Sequence, residues 1–547
     1  MTASISPREG AAPIRSVTRP SHQQRGGTRE RLPILLLSVI AMVGVAAVLI
    51  NTRSGPGIEP DSAVYLGVAH NLVHGRGLTV PFTTYTDRYT PDQALAHYGR
   101  FSLQHFPPLY PFALAVGGGG RSWTRLLNAL LFGVNLMLVG LLTLRMAGRL
   151  WIAAVCGAAV MLVSPGGLFG LPWLLLHSAA ISEPLFLTCA LASVLALAIW
   201  LESGTSRWFW TAATLAAAAT LTRYVGFSVT LAGALAVVLW ARGPLWARLR
   251  SSALFAVTGI VPTAVFLVVQ RTRGTPTRAL AYHPPRHVVW SLRNLVTGWF
   301  GLADWPHAFT IIVPGLWLLA LVALGVYVLP RRRAEPGIMV VRVLVVLVPL
   351  YVIGVVAAHT WFDASVPIDQ RLMSPVRGLL YLLVFGVPAW LLARRARDRS
   401  AVRVSSMAFV AVALVMAAPP ARSLERVIRS KHPPASELAV IRRALVSIPP
   451  ATFIATNAPD QVYLATGRSS IFTPPLRYPV TNQRNPRFRT QVIELGRTLQ
   501  REDGVLLMSD APTFLTYRAR RDQLQDILPN LQVLGRFGSY SVLTMRP

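Results

Sequence analysis

AAISEPLFLTCALASVLALAIWL, residues 179–201, is a run of apolar residues interrupted near its start by one charge, Glu183. The run is longer than the roughly 20 residues that an α-helix needs to cross the hydrocarbon core of a bilayer. A helix pairs its backbone polar groups within the segment, as a hydrocarbon environment requires. The stretch therefore predicts a membrane-spanning helix with a carboxylate at one mouth.

Similar runs recur along the whole chain, and together they predict about eleven membrane-spanning helices. Besides 179–201, the predicted spans are 32–50, 124–144, 151–163, 208–222, 224–241, 251–270, 311–329, 340–358, 376–393 and 402–418. The composition agrees, because 53% of the residues are hydrophobic and 14% are charged, against about 25% charged in a soluble domain. We therefore expect an α-helical polytopic membrane protein.

The charge balance is strongly basic, with 53 Lys and Arg residues against 22 Asp and Glu residues and a formal net charge of +31. A nucleic-acid-binding protein can share that charge but not the repeated apolar runs, so we expect a lipid bilayer and no nucleic acid as a partner. Cys156 and Cys189 both fall inside apolar runs. They provide neither a disulfide framework nor a metal-ligand spacing.

The arginines predict the orientation, since basic residues are retained on the cytoplasmic side of short connections. Residues 1–31 are polar and rich in arginine, and arginines return in alternate connections. We therefore expect a disordered cytoplasmic amino-terminal tail at 1–31 and a transmembrane domain at 32–419. Three long segments then share the outer face: 51–123, called the first loop below, 271–310, and 420–547.

The last of these segments, 420–547, alternates helical and strand-like patterns and predicts a small α/β domain outside the membrane. The helical patterns lie at 434–447 and 487–501, and the strand-like runs are Thr452–Thr456, Val505–Met508 and Ser541–Met545.

The first loop begins with apolar residues at near-helical spacing, which predict a helix that ends before Gly75 and Gly77. Asp61 stands at the start of this helix, where the helix dipole stabilises a negative charge. The alternative is that Asp61 only caps the helix.

Four carboxylates on the predicted outer side stand at or near span ends: Asp61, Glu183, Asp363 and Asp369. A charge near hydrocarbon costs up to about 2.5–3.5 kcal/mol, so an acid there usually faces a polar cavity or a partner. Glu183 is the most informative of the four, and its alternative is an interfacial helix cap.

Two arginines stand at the same predicted boundary, Arg223 between two apolar runs and Arg371 just before another. A guanidinium at that depth suits a phosphate on a lipid tail, because its forked donors bind two phosphate oxygens while the tail stays in the bilayer. The alternative is that both side chains snorkel to anionic headgroups.

Two histidine pairs, His70/His74 and His283/His287, have the spacing that puts both rings on one face of a helix. Such a pair can bind a metal, but neither has the glutamate of a zinc-protease motif, and prolines separate the second pair. A phosphate-binding P-loop is also missing from the sequence, which argues against an ATP-driven pump.

Six stretches of the sequence together resemble the GT-C membrane glycosyltransferases. The resemblance is in particular to the group around bacterial aminoarabinose and lipopolysaccharide-core sugar transferases and the protein O-mannosyltransferases. The stretches are EPDSAVYLGVAHNLVHGRGL (59–78), QHFPPLYPF (104–112), ISEPLF (181–186), LTRYVG (221–226), IDQRLMSPV (368–376) and IATNAPDQVYLATGRSSIF (454–472). They occur in the order that the family shows.

The resemblance implies a multi-pass enzyme of the bacterial plasma membrane that transfers a sugar, with inversion, from a polyprenyl-phosphate donor to a cell-envelope glycan, lipid or protein. Asp61 would be the general base that takes the proton of the acceptor hydroxyl. Arg223 and Arg371 would bind the leaving phosphate and neutralise its charge. Glu183 and His105 would bind the acceptor or a divalent cation such as Mg²⁺ or Mn²⁺.

The chain departs from the mannosyltransferases in two ways. They carry a paired acidic motif where this chain has Asp61–Ser62, and the transmembrane domain contains no lysine for a phosphate. The alternative function is a non-catalytic one: a flippase or transporter, or an envelope protein that binds polysaccharide. Transporters place polar residues at the bilayer midplane, whereas here the charges gather at one boundary.

Overall fold

The computed structural model describes residues 31–83, 91–103, 106–163, 173–272, 295, 319, 322–328, 337–362, 368–369, 371–395, 399–417, 435–478, 483–510 and 519–546. Asp363, the pair His283/His287 and the candidate His105 lie outside these ranges. So do the tail at 1–30 and nearly all of 271–310.

The described part of the chain is mostly helical. Its helices are α1 (Arg31–Asn51), α2 (Pro60–Val73), α3 (Pro91–Ala96), α4 (Leu109–Val116), α5 (Arg121–Ala147), α6 (Ile152–Val163), α7 (Trp173–Ser178), α8 (Glu183–Ser203), α9 (Ser206–Thr222), α10 (Phe227–Trp240), α11 (Leu245–Thr272), α12 (Ile338–Ala357), α13 (Ser374–Arg395), α14 (Arg399–Ala417), α15 (Ala435–Leu445), α16 (Pro459–Thr466), α17 (Phe488–Arg501) and α18 (Arg521–Gln525). Short 3-10 turns at Gly148–Leu150 and Tyr224–Gly226 and a π-turn at Ala358–Phe362 extend some of them.

Six of the described helices are long and apolar enough to cross a membrane. They are Arg31–Asn51, Arg121–Leu150, Glu183–Ser203, Leu245–Gln270, Ile338–Trp361 and Ser374–Arg395, and three shorter apolar helices accompany them at Ile152–Leu162, Tyr224–Trp240 and Ser400–Leu414. The protein is thus a multi-pass α-helical membrane protein, while the total of about eleven spans stays a prediction.

The span predicted at 179–201 starts later than expected, since its helix begins at Glu183. Ala179 is held in extended backbone by Gly57, and the amide of Ala180 donates to the Gly57 carbonyl at 2.9 Å. Pro184 then sits in the first turn of α8, where its missing N–H costs nothing. Glu183 is therefore the first residue of the helix, at the rim of an apolar segment.

Residues 435–546 contain a five-stranded sheet. Two strands in the first loop come earlier in the chain, β1 (Thr79–Val80) and β2 (Phe101–Ser102); the sheet consists of β3 (Ile454–Thr456), β4 (Ile471–Phe472), β5 (Val505–Ser509), β6 (Leu531–Phe537) and β7 (Tyr540–Met545). The strand order is β4-β3-β5-β7-β6, with β3 parallel to β4 and β5, and β7 antiparallel to β5 and β6.

The first loop contributes to the core of this sheet. Ala94 and Phe101 are buried in one cluster with Phe453 and the apolar face of α17. Tyr98 bridges the two segments, because its hydroxyl donates to the Ser469 carbonyl at 2.6 Å and accepts from the Ile454 amide at 3.1 Å. The core of the sheet is therefore completed by residues that lie more than three hundred positions earlier in the chain.

Candidate functional site

The turn between α7 and α8 fixes the position of Glu183 through hydrogen bonds to α5. Asn128 Nδ2 donates to the Ala179 carbonyl at 2.5 Å, and Asn135 Nδ2 donates to the Pro184 carbonyl at 3.0 Å. Both asparagines are buried in α5. Because buried, hydrogen-bonded amides favour one geometry, this turn presents Glu183 in a defined position.

Arg223 lies at the carboxyl end of α9, in extended backbone before the turn that leads to α10. Its Nη1 forms an ion pair with Glu183 Oε1 at 2.7 Å and donates to Ser182 Oγ at 3.1 Å. The Tyr65 hydroxyl lies 2.9 Å from the same Ser182 oxygen. The guanidinium therefore points to buried polar groups and not outward, as snorkelling would require.

Asp61 lies in the first turn of α2, one residue after Pro60 begins the helix. The N-cap residue is Glu59, and its backbone amide donates to Ser62 Oγ at 2.9 Å. The alternative that Asp61 caps the helix is therefore wrong, because that position is already taken two residues earlier. Its side chain is left to contact other parts of the molecule.

Arg371 connects the two acids. Its Nη2 donates to Asp61 Oδ2 at 2.8 Å, and its Nε lies 3.5 Å from Glu183 Oε1. Two hydrogen bonds hold the turn that carries Arg371. Asp369 Oδ1 accepts from the Leu372 amide at 2.8 Å, and the Tyr351 hydroxyl donates to the Leu372 carbonyl at 2.8 Å.

These contacts form one continuous ion network of four side chains, Asp61–Arg371–Glu183–Arg223. Its members come from α2, the turn before α13, α8 and α9, so each stands at or beside a helix end. The two acids lie in first turns and Arg223 at a carboxyl end, where helix dipoles favour those charges. All four residues were selected from the sequence, and the structure brings them together.

The network is closed at one end and open at the other. The Glu183 side chain is 1% exposed, and its Oε2 has no hydrogen-bond partner among the residues that the structure describes. At the other end the Asp61 side chain is 23% exposed and that of Arg371 is 19% exposed. A ligand would therefore meet the Asp61–Arg371 pair first.

Negative charge dominates around Arg371. Burial by itself would lower the pKa of this guanidinium, but Asp61, Glu183, Asp369 and Glu59 together raise it above its ordinary value. Partial burial also raises the pKa of Glu59, and the neighbouring acids add to the effect while Arg371 opposes it. Sequence reasoning missed Glu59; its place directly before Pro60 and two residues from Asp61 was the available signal.

A divalent cation does not fit the acids of this network well. Asp61 and Glu183 both face the guanidinium of Arg371, which lies between them and already balances their charge. Within the described ranges, no group of three His, Cys, Asp or Glu residues is arranged to hold a metal ion. The cation stays a prediction from the sequence.

The pair His70/His74 lies at the end of α2, with ring centroids 4.0 Å apart. His74 Nδ1 is 2.8 Å from the His70 carbonyl, so the second ring is used to close the helix end. This local bond accounts for the pair without a ligand.

Comparison with known proteins gives limited similarity. No family model and no curated protein matches the chain. Among solved structures, the chain is similar to the archaeal oligosaccharyltransferase AglB from Archaeoglobus fulgidus, in complex with an inhibitory peptide and a dolichol-phosphate, with 11% identity, a TM-score of 0.48, and coverage of 88% of this chain and 70% of that one. It is also similar to the arabinofuranosyltransferase AftD from mycobacteria, with 15% identity, a TM-score of 0.45, and coverage of 93% of this chain and 41% of the other. At such low identity and TM-score, these similarities carry no activity over to the chain.

Proposed function

We propose that the protein is an integral membrane glycosyltransferase that moves a sugar from a polyprenyl-phosphate donor to a cell-envelope acceptor. The observation that carries this proposal is the ion network, which joins a carboxylate of the first loop to two guanidiniums at the ends of apolar helices. A base and an anion-binding group within one cluster are what such a transfer needs.

The donor side of the proposed site is formed by Arg223 and Arg371. Guanidiniums bind phosphate oxygens through paired charged hydrogen bonds. Arg223 precedes α10 and Arg371 precedes α13, two helices whose apolar surfaces suit a lipid chain. The polyprenyl tail would lie along such helices in the bilayer while its phosphate reaches the arginines.

Asp61 is the general base of the proposed reaction. The acceptor oxygen attacks the anomeric carbon, the bond from that carbon to the phosphate oxygen breaks, and the phosphate leaves with the electron pair. The acceptor proton passes to Asp61, and the two arginines neutralise the charge that grows on the phosphate. Attack from the face opposite the leaving phosphate inverts the anomeric centre.

Glu183 acts in this proposal as a positioning residue. Its Oε1 lies within ion-pair distance of both arginines, and its side chain is almost completely buried. A residue so enclosed reaches the acceptor less readily than Asp61 does, but it sets the spacing of the two guanidiniums. The acceptor-binding role proposed for His105 stays a prediction.

The remaining topology follows from the same proposal. The ion network and the sheet of residues 435–546 lie on the extracytoplasmic side of a bacterial plasma membrane, with the amino terminus in the cytoplasm. Donors of this class present their sugar there, next to the envelope acceptors.

The test is release of polyprenyl phosphate by the purified full-length protein in nanodiscs, with hexosyl and pentosyl polyprenyl-phosphate donors and envelope extract as acceptor. We expect release without nucleotide or ion gradient, which separates an enzyme from a transporter. Asp61→Asn keeps the shape of the side chain but removes the base, so transfer should fall by at least about a hundredfold.

Asp503→Asn is the matched control, because Asp503 is exposed and has a φ of 46°, which asparagine tolerates. It lies in the sheet-containing residues 435–546, called the sheet domain below. The variant should release product like the unmodified protein. Near-normal turnover by Asp61→Asn would remove Asp61 from the mechanism, and no release with any donor would contradict the proposed enzyme.

A further inference from the structure

Arg371 has two uses in the proposed reaction, and both draw on its Nη groups. Its Nη2 donates to Asp61 Oδ2 at 2.8 Å, yet the same guanidinium is needed by the donor phosphate. An Asp61 oxygen that accepts this charged hydrogen bond is turned towards Arg371 and not towards an acceptor. The contact that assembles the site therefore also occupies one of the two oxygens of the base.

We propose that Asp61 and the donor phosphate compete for Arg371, so that donor binding releases Asp61 Oδ2 from the guanidinium. This inference rests on the proposed function. A phosphate is a strong competitor, because it offers several anionic oxygens to the forked guanidinium where Asp61 uses a single one.

The geometry makes Arg371 the arginine that exchanges partners. Arg223 Nη1 forms an ion pair at 2.7 Å with Glu183, whose side chain is 1% exposed. The same nitrogen donates to Ser182 Oγ, so buried groups hold this guanidinium in place. Arg371 contacts Glu183 Oε1 only through Nε, at 3.5 Å. Its Nη2 pairs with Asp61, whose side chain is 23% exposed. Glu183 thus retains the guanidinium near its position while the Nη groups change partner.

The exchange has two consequences for the reaction. Before a donor binds, Asp61 Oδ2 is held by Arg371, so water or an acceptor that enters first meets a carboxylate with one oxygen already engaged. After transfer, the proton from the acceptor is on Asp61; when the polyprenyl phosphate leaves, Arg371 pairs with Asp61 again and the proton passes to water. Each cycle therefore restores the ion pair without any further reactant.

The test measures binding of undecaprenyl phosphate to the full-length protein in nanodiscs, with no sugar and no turnover. If Asp61 competes for Arg371, Asp61→Asn should bind this probe about tenfold more tightly than the unmodified protein, within the range of about 5–150-fold that is usual for coupled sites. In an Arg371→Gln background the same substitution should change the affinity by less than about twofold.

Glu59→Gln is the matched control for general repulsion, since it removes a neighbouring negative charge that raises the pKa of Arg371 through space. It should strengthen binding by less than about threefold. An equal gain from Glu59→Gln, or unchanged or weaker binding by Asp61→Asn, would overturn the competition. If the unmodified protein does not bind the probe at all, the proposed function fails, and this inference with it.

Discussion

At the scale of single residues, the energetics of the site centre on Glu183. A carboxylate that is 1% exposed loses nearly all of its hydration, and two guanidiniums replace it. Removing one partner of such a buried group costs more than the pair itself contributes, because the remaining charges lose their compensation. Glu183 thus stabilises the fold and spaces the arginines at the same time.

We therefore expect Glu183→Gln to destabilise the protein by about 3–5 kcal/mol, as does breaking a buried ion pair elsewhere. The measurement is unfolding of the detergent-solubilised protein in denaturant. Glu502→Gln is the control, since Glu502 forms an ion pair with Arg501 at the surface and should change stability by less than about 1 kcal/mol. Similar small losses for both variants would contradict the role given to Glu183.

The candidate site was largely predictable from residue types and positions. Charges at the ends of apolar runs are rare and costly, and that rule selected the carboxylates Asp61, Glu183, Asp363 and Asp369 and the arginines Arg223 and Arg371. The resemblance to the GT-C enzymes then assigned roles to Asp61, Glu183, Arg223 and Arg371. The pairing between them was not predictable, because it depends on how α2, α8, α9 and α13 pack in space. Glu59 was not selected, although it stands directly before Pro60 and two residues from Asp61.

At the scale of elements, small residues decide how the helices approach. Three glycines, Gly44, Gly133 and Gly140, lie where α1 meets α5. A Cβ on Gly133 would lie 2.7 Å from a methyl group of Val45 and 3.2 Å from the backbone oxygen of Ala41. Helices in a bilayer gain stability from such close packing, since they have no hydrophobic driving force between them.

Gly133→Ala should consequently destabilise the protein by about 1–3 kcal/mol, the usual cost of overpacking. Gly354→Ala in α12 is the matched control, because among the residues that the structure describes its Cβ would meet only Val225, at 3.9 Å. That variant should be as stable as the unmodified protein or more stable, since alanine stabilises a helix by about 1 kcal/mol relative to glycine. Thermal unfolding in one detergent compares the two, and equal shifts would contradict the close contact between α1 and α5.

Long elements were predictable and short ones were not. Apolar runs and periodic patterns located most helices and the strands β3, β5 and β7, because these signals extend over many residues. β4 has only two residues, Ile471–Phe472, and exists through pairing with β3. The start of α8 was misplaced for the same reason, since a contact with Gly57, distant in sequence, keeps Ala179 extended.

At the scale of the whole molecule, the first loop links the ion network to the sheet domain. It begins with α2, which carries Asp61, and Gly67 of the same helix lies against Tyr463 of α16. It continues to Phe82, which pairs with Ser470 at the edge of the sheet. A substitution that destabilises the sheet domain is therefore expected to destabilise α2 and the ion network through this loop.

Phe101 provides the test, because it is 2% exposed and belongs to the first loop, yet lies in the core of the sheet domain. Phe101→Ala should destabilise that domain by about 3–5 kcal/mol, as large cavities in a core do. Hydrogen exchange should show faster exchange in 435–546 and in α2, with slow exchange kept in α5 and α8. Phe112→Ala is the control, since Phe112 is 43% exposed. Faster exchange confined to 435–546, with α2 unchanged, would mean that the loop does not couple the sheet domain to Asp61.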